Sequence, residues 1–172
     1  MINYFHQRNL DIDLIAGVTR NEGGLSVSPK TKVTLEGIKV QIENTFKGQG
    51  VEPPKNITEF YLRNRVLNNS ESLRKAIQEF DGDSGLICQT YFFAKQYSEL
   101  NPKSNVYFYE LTYQSIPFNG ACDKTMGVCH ATDLIYVFGH PILNPNSRPQ
   151  IEYDFSQEVI TFWTNFAKTG YK

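Results

Sequence analysis

The 172-residue chain has no excess of charge of either sign and no long apolar run. Its 17 lysines and arginines balance 18 aspartates and glutamates, which gives no reason to expect a nucleic-acid partner or binding to an anionic membrane surface. No apolar stretch approaches the length that crosses a bilayer, and the first six residues lack the charged and apolar regions of a signal peptide. The sequence also has no internal repeat, and its length suits one domain with a sizeable core.

The sequence also lacks one catalytic motif. A serine nucleophile on a sharp strand-to-helix turn needs Gly-x-Ser-x-Gly, because small residues must flank the serine. That pentapeptide does not occur in this sequence. The nearest match, at residues 24–28, reads Gly-Leu-Ser-Val-Ser and lacks the second glycine. We therefore expect no serine nucleophile of this kind within the chain.

Cysteine is scarce, and its count of three is odd. Cys122 and Cys129 lie seven positions apart in a segment with two glycines, so a small disulfide loop is sterically possible; two unrelated thiols are the alternative. Paired cysteines would imply an oxidising compartment. Cys88 would then be a buried thiol or have a partner outside this chain. Asn56 and Asn68 begin N-glycosylation sequons, triplets that also arise often by chance.

Apolar patterning predicts two strands separated by helices. Residues 10–18 have the composition of a short buried strand, and residues 105–113 form the clearest strand, β-branched and aromatic with an apolar centre. Strands that alternate with helices predict an α/β fold in three layers. Two strong strands are few for a self-sufficient sheet.

Helical spacing accounts for most of the remaining sequence. Asp-Gly-Asp-Ser at residues 81–84 is expected to end a helix that Ser70 caps, and Gly170 is expected to stop the last helix. Phenylalanines and a tryptophan form an apolar stripe along that last helix. The predicted helices begin near residues 34 and 58 and cover residues 70–80, 86–100 and 154–168.

Two residues are candidates for acid–base chemistry. Glu22 lies in a glycine-flanked turn directly after the first strand, and His130 lies in the loop after the second. Functional groups gather beyond the carboxyl ends of strands in open α/β sheets, and acid followed by histidine is the chain order of α/β-hydrolases. The ordinary alternatives are a solvated glutamate and a histidine satisfied by its surroundings.

Five segments, in order and at plausible spacing, resemble the C-terminal half of type B carboxylesterases, the family that includes the cholinesterases. The histidine segment reads Gly-Val-Cys-His-Ala-Thr-Asp-Leu and the last reads Trp-Thr-Asn-Phe-Ala-Lys-Thr-Gly; both are quite specific to the family. Together the five span nearly the whole chain. They are residues 13–23, 83–94, 106–113, 126–139 and 163–170.

The resemblance implies an α/β-hydrolase fold, present here as its C-terminal part: an incomplete mixed sheet with flanking helices, all of residues 1–172 belonging to one domain. It implies hydrolysis of carboxylic esters, with Glu22 as the triad acid and His130 as the triad histidine, while Asp133 orients the loop. The serine and the oxyanion loop would lie upstream of residue 1. The expected partners are a small-molecule ester and the remainder of the parent chain; we predict no cofactor, no metal site and no nucleic acid.

The sequence departs from cholinesterases where their choline gorge is formed. Leu25 and Ser26 replace the aromatic residues that follow the triad glutamate. Thr125 stands where a tryptophan is expected, and Thr132 replaces an aromatic residue after the histidine. These changes favour a general carboxylesterase. Ala131 replaces the usual glycine after the histidine, a mild change.

The leading hypothesis is a C-terminal fragment of a secreted or membrane-associated carboxylesterase, inactive by itself. Cys88 matches a family cysteine whose partner would lie past Lys172. One alternative is a cholinesterase-like adhesion or binding module without catalysis, and another is an acetylcholinesterase-type hydrolase. A complete small protein that reuses half a hydrolase fold as an interaction surface is a further possibility. The sequence does not decide whether a membrane anchor exists.

Overall fold

Two parallel strands lie between layers of helices in the computed structural model, which describes residues 12–115 and 122–171. Strand β1 (Leu14–Thr19) pairs with β2 (Val106–Leu111), so that the ends of the two strands meet at the same edge. Both strands are shorter than the sequence predicted. Residues 10 and 11, the start of the predicted first strand, lie outside the described residues.

The helices that connect and follow the strands account for most of the described chain. Parallel strands require a crossover connection, and four helices supply it between β1 and β2. Two short helices and one long helix follow β2, where the sequence predicted a single helix over residues 154–168. The helices are α1 (Leu35–Gly48), α2 (Ile57–Leu62), α3 (Ser70–Gly82), α4 (Cys88–Leu100), α5 (Asp133–Val137), α6 (His140–Leu143) and α7 (Gln150–Thr169).

Aromatic contacts from two consecutive residues of β2 place helices on both faces of the sheet. Tyr109 meets Trp163 of α7 edge to face, with ring centroids 6.0 Å apart. Phe108, which points to the opposite face, meets Tyr91 of α4 at 5.8 Å. The arrangement of helix, sheet and helix is the α/β layering that the sequence predicted.

Within the described residues, two clusters of buried side chains contribute to the core. The larger joins α1 and α3 and includes Ile38, Ile42 and Phe80, each at most 1% exposed. The smaller is made of Leu111, Val128 and Tyr136, which tie the end of β2 to the segment before His130 and to α5. The second cluster therefore supports the loop that carries the candidate histidine.

The predicted helix break at residues 81–84 is wrong. The chain continues from α3 through a π-helical turn, Asp83–Ile87, directly into α4. Gly82 has ordinary helical dihedrals, and a Cβ there would come within 2.9 Å of the Gly23 backbone nitrogen. The glycine is therefore needed for close packing of α3 against the turn after β1, and it does not end the helix.

The helix caps differ in detail from the predicted ones. The side chain of Asn69, not Ser70, caps α3 by accepting a hydrogen bond from the Ser72 N–H at 2.9 Å. Helix α2 begins after Asn56 and not at Thr58. Helix α7 stops at Gly170, as predicted, in a left-handed conformation with φ of +73°.

A buried ion pair at the start of α7 also contacts the segment that follows β2. Arg148 Nη1 donates to Glu152 Oε2 at 2.9 Å and to the Ser115 hydroxyl at 2.7 Å. The side chains of Arg148 and Glu152 are 5% and 0% exposed. Sequence patterning did not anticipate this pair, because it treats charged positions of a helix as solvated.

Helices that are both long and apolar enough to cross a bilayer are absent from the residues that the structure describes.

Candidate active site

Glu22 is held at the edge of the sheet by the strand that precedes it. It follows β1 by three residues and begins a short 3₁₀ turn, Glu22–Leu25. Its carboxylate Oε1 accepts a hydrogen bond from the Thr19 N–H at 2.6 Å, and its side chain is only 7% exposed. The carboxylate therefore has a fixed orientation and leaves Oε2 for a second partner.

The turn that carries Glu22 packs tightly on α3. Gly23 and Gly24 are buried, and a Cβ on Gly23 would collide with the carbonyl of Gln78. The side-chain amide of Gln78 donates to the Gly24 carbonyl at 2.7 Å. Gly23, the first glycine after the candidate acid, thus lets the turn approach the helix closely.

His130 lies in a loop that is fixed by a disulfide. Cys122 and Cys129 are bonded, as the sequence spacing allowed, and Cys129 is fully buried. Immediately before the second cysteine, Gly127 has φ of +76° and Val128 is buried. The backbone that leads into the histidine is therefore held by the disulfide and by the burial of Val128.

The structure brings Glu22 and His130 together across 108 positions of sequence. His130 Nδ1 lies 2.6 Å from Glu22 Oε2. An ionised carboxylate only accepts hydrogen bonds, so this contact requires the proton on Nδ1 and, in the neutral ring, leaves Nε2 as an acceptor. The imidazole is 55% exposed, so a reacting group can reach it.

Asp133 contacts Tyr109 and begins α5. The Tyr109 hydroxyl donates to Asp133 Oδ2 at 2.7 Å, and burial, together with this carboxylate, raises the pKa of the tyrosine well above its usual range. The contact connects the helix after His130 to β2. It suits a residue that orients the loop, which is the role the resemblance implies for Asp133.

A cleft of about 410 Å³ opens beside Glu22. Its walls combine cations such as Arg20 and Lys75 with anions such as Glu71 and Asp83. His130 is not among its lining residues, so this cleft does not lead to the free imidazole nitrogen. Its mixed charge also gives no preference for an ester.

The other residues singled out from sequence lie away from this pair. Asn56 and Asn68 are exposed, the first before α2 and the second before α3. Cys88 begins α4 as an exposed residue with a free thiol, and partial burial of its sulphur together with the charge of Asp83 raises the pKa of that thiol. Within the described residues, no group of three or more His, Cys, Asp or Glu side chains is placed to hold a metal ion.

Sequence reasoning missed three residues around the pair. Thr19 fixes the carboxylate through its backbone N–H, Tyr109 binds Asp133, and Asn21 is paired with Val128. The position of Asn21 could have indicated a role at the site, because it directly precedes the candidate acid at the end of a strand. Its partner lies 107 positions away, and no local pattern indicates that contact.

The carboxylesterase family model matches residues 2–172. Mouse cholinesterase is 25% identical over 167 residues, which cover 92% of this chain and 27% of the relative. Mouse bile salt-activated lipase is 29% identical over 176 residues, 96% of this chain and 29% of the lipase. The human bile salt-activated lipase is 29% identical over 171 residues, 93% and 22% of the two chains. The chain thus spans less than a third of the length of these relatives.

Proposed function

This chain belongs to the carboxylesterase family, and we propose that it supplies the acid and the histidine of a serine carboxylic ester hydrolase. In this proposal residues 1–172 form the C-terminal part of one α/β-hydrolase domain. The nucleophilic serine and the oxyanion donors come from sequence outside these residues. The chain alone is then inactive.

The observation that carries this proposal is the contact of 2.6 Å between Glu22 Oε2 and His130 Nδ1. Glu22 is nearly buried and already oriented by Thr19, whereas His130 is more than half exposed. A fixed, shielded acid beside an accessible imidazole is the arrangement that serine hydrolases require, because the acid must hold one ring nitrogen while the other reacts. Asp133 is engaged by Tyr109, which leaves Glu22 as the partner of the imidazole.

The proposed reaction uses Nε2 of His130 as a proton carrier. When the serine oxygen attacks the ester carbonyl, Nε2 takes the hydroxyl proton, and Glu22 stabilises the resulting imidazolium. Nε2 then protonates the alcohol as the carbon–oxygen bond of the ester breaks. In the second half-reaction it takes a proton from water, which attacks the acyl-enzyme, and returns that proton to the serine.

The residues near the pair support a general carboxylic ester as substrate. A quaternary ammonium group is bound by aromatic faces. Leu25, Thr125 and Thr132 stand where the resemblance to cholinesterases expects aromatic residues. None of the three has a ring that could bind a choline head group. We therefore expect hydrolysis of neutral esters without preference for choline esters.

We further propose that the protein is secreted. The Cys122–Cys129 disulfide is typical of an oxidising compartment. Asn56 and Asn68, the candidate glycosylation sites, are both exposed and could accept a glycan without disturbing the core.

The test uses a longer protein that contains residues 1–172 together with an upstream Gly-x-Ser-x-Gly motif. His130→Ala should abolish ester turnover, and Glu22→Gln should lower kcat by about 10⁴, the loss seen when the corresponding acid of a serine protease is changed to its amide. The two effects should be far from additive, because the residues act as one unit. Turnover of p-nitrophenyl and choline esters is measured alongside circular dichroism.

Two matched variants control for effects on turnover that follow from replacing any histidine or any glutamate. His140→Gln and Glu43→Gln, outside the pair, should keep near-normal turnover. A folded His130→Ala protein that retains turnover would show that the wrong histidine has been assigned. An upstream sequence without the serine would instead favour the non-catalytic binding module.

A further inference from the structure

Asn21, the residue before Glu22, joins the two segments of the candidate site through two polar groups and bonds its own turn through a third. Its backbone N–H donates to the Val128 carbonyl at 3.0 Å. Its side-chain Oδ1 accepts from the Val128 N–H at 2.9 Å, and its own carbonyl accepts from the Gly24 N–H at 2.8 Å. The side chain thus completes a paired hydrogen bond with a single residue of the histidine loop.

This pairing fixes the separation of the acid and the histidine. Asn21 directly precedes Glu22, and Val128 is two residues before His130. A parallel β-bridge between Asn21 and Cys129 continues the contact toward the histidine. The pairing therefore sets the relative position of the two backbones from which the carboxylate and the imidazole extend.

The neighbourhood of the pairing is built around the asparagine side chain. Gly127 has φ of +76° and ψ of −141°, a conformation that L side chains rarely adopt, and a Cβ there would collide with Asn21 Oδ1. Val128 is 4% exposed and Cys129 is fully buried. Removal of Oδ1 would therefore take away the side-chain partner of an N–H on an almost fully buried residue.

We propose that Asn21 is a positioning residue that holds His130 in register with Glu22 and so maintains the Nδ1–H tautomer. The proposal rests on the proposed function, since that tautomer is the one in which Nε2 can accept a proton. An asparagine suits this position because its oxygen accepts from Val128 without adding a second carboxylate next to Glu22. Its effect on catalysis passes through the imidazole and not through contact with the ester.

The test reads the tautomer of His130 directly in the 172-residue chain. Long-range proton–nitrogen correlation spectra of the uniformly ¹⁵N-labelled protein distinguish Nδ1–H from Nε2–H in a neutral imidazole, for example near pH 9, about 2.5 units above the usual histidine pKa. The wild-type chain should show Nδ1–H. Asn21→Ala should lower the ratio of Nδ1–H to Nε2–H by about tenfold, as expected when one well-placed hydrogen bond is lost. Asn21→Asp, which keeps the acceptor at the same reach, should retain the wild-type tautomer.

Glu22→Ala separates this inference from the proposed function. If the wild-type chain shows Nε2–H and Glu22→Ala leaves the spectrum unchanged, the acid–histidine pair itself is wrong. If Glu22→Ala shifts the tautomer and a folded Asn21→Ala chain does not, the pair stands and the role of Asn21 is overturned.

If the Asn21→Ala chain loses its native spectrum, Asn21→Gln tests the role of Asn21 instead. The extra methylene displaces the amide oxygen from Val128 while it keeps the polarity and neutral charge of the side chain. The proposal predicts a shifted tautomer in Asn21→Gln and an unshifted one in Asn21→Asp. Equal tautomer ratios in these two variants would contradict it.

Discussion

At the scale of single residues, Ala131 has a backbone conformation that does not suit alanine. It directly follows His130 and has φ of +65°. The left-handed conformation costs a residue with a Cβ about 1–2 kcal/mol. The position where the family resemblance expects a glycine is therefore one where a glycine is physically favoured, and the change to alanine is less mild than the sequence alone indicated.

We expect Ala131→Gly to stabilise the chain. Relief of the strain should exceed the extra entropy of glycine in the unfolded chain, about 0.5–1 kcal/mol, and leave a net gain of roughly 0.5 kcal/mol in the free energy of unfolding. Urea denaturation of the two proteins measures the difference. Ala167→Gly is the matched control: this exposed alanine lies inside α7, where the same change should cost about 1 kcal/mol. Equal losses in both variants would rule out strain at Ala131.

Asp83 provides a test that depends on pH. Burial raises the pKa of its carboxyl above the ordinary value of 3.8, although the hydrogen bond from the Tyr61 hydroxyl, at 2.9 Å, partly opposes the shift. An acid whose pKa is higher in the folded state binds more protons when folded, so folding becomes less stable as pH rises from the unfolded pKa to the folded pKa. Above the folded pKa the penalty is constant.

Asp83→Asn should therefore stabilise the chain at neutral pH relative to wild type. The amide can still accept from Tyr61 and carries no buried charge. The advantage should shrink as pH falls from the raised pKa toward the unfolded pKa, below which the wild-type carboxyl is protonated in both states. Denaturation midpoints from pH 3 to 8 measure it, with Asp154→Asn, an exposed carboxyl on α7, as the control. An advantage of Asp83→Asn that is independent of pH would contradict the argument.

At the scale of elements, long periodic segments were predictable and tertiary contacts were not. Strand β2 and helix α7 have patterns that identify them without any partner, and Gly170 ends α7 as expected. The predicted break at Gly82 failed because that glycine serves packing against Gly23, a contact between distant segments. The pattern of the short helix α5 is only five residues long, too short to be read from periodicity.

The candidate site was likewise predictable only in part. Glu22 and His130 could be named because each belongs to a motif that resembles a family. Their pairing, and the roles of Thr19 and Asn21, depend on backbone atoms and on the parallel register of β1 and β2. Thr19 acts through a backbone atom and Asn21 contacts a residue 107 positions away, so no local pattern of the sequence indicates these contacts.

The Cys122–Cys129 disulfide should stabilise the histidine loop measurably. Closing so short a loop limits the unfolded chain and contributes on the order of 2 kcal/mol. The double variant Cys122→Ser/Cys129→Ser should lose about that amount in urea denaturation, whereas Cys88→Ser, at an exposed free thiol, should change little. Addition of a reductant should lower the stability of the wild-type chain and leave that of the double variant unchanged. No loss on removal of both cysteines would show that the loop is fixed without the disulfide.

At the scale of the whole molecule, the sheet has more apolar surface than its layers cover. Parallel strands are normally buried on both faces. In this chain Phe108 on β2 is 41% exposed, and Tyr91 and Phe92 on α4 are 49% and 58% exposed. Such surface, together with a length below a third of that of its relatives, supports the proposal that residues 1–172 are part of a larger hydrolase domain.

The isolated chain should not hydrolyse esters as a serine esterase does. The acid and histidine can move a proton, but the sequence has no Gly-x-Ser-x-Gly motif to receive the acyl group. In a studied serine protease, loss of the nucleophile lowers kcat by roughly 2 × 10⁶. With p-nitrophenyl acetate, the wild-type chain should therefore show no initial burst, no labelling by an organophosphate and a rate equal to that of its His130→Ala variant.

Equality with this variant is the sharper criterion, because an exposed imidazole could by itself raise the background rate slightly. Turnover that co-purifies with the chain and stops on organophosphate treatment would place a nucleophile within residues 1–172 and overturn the proposal that the serine lies outside them.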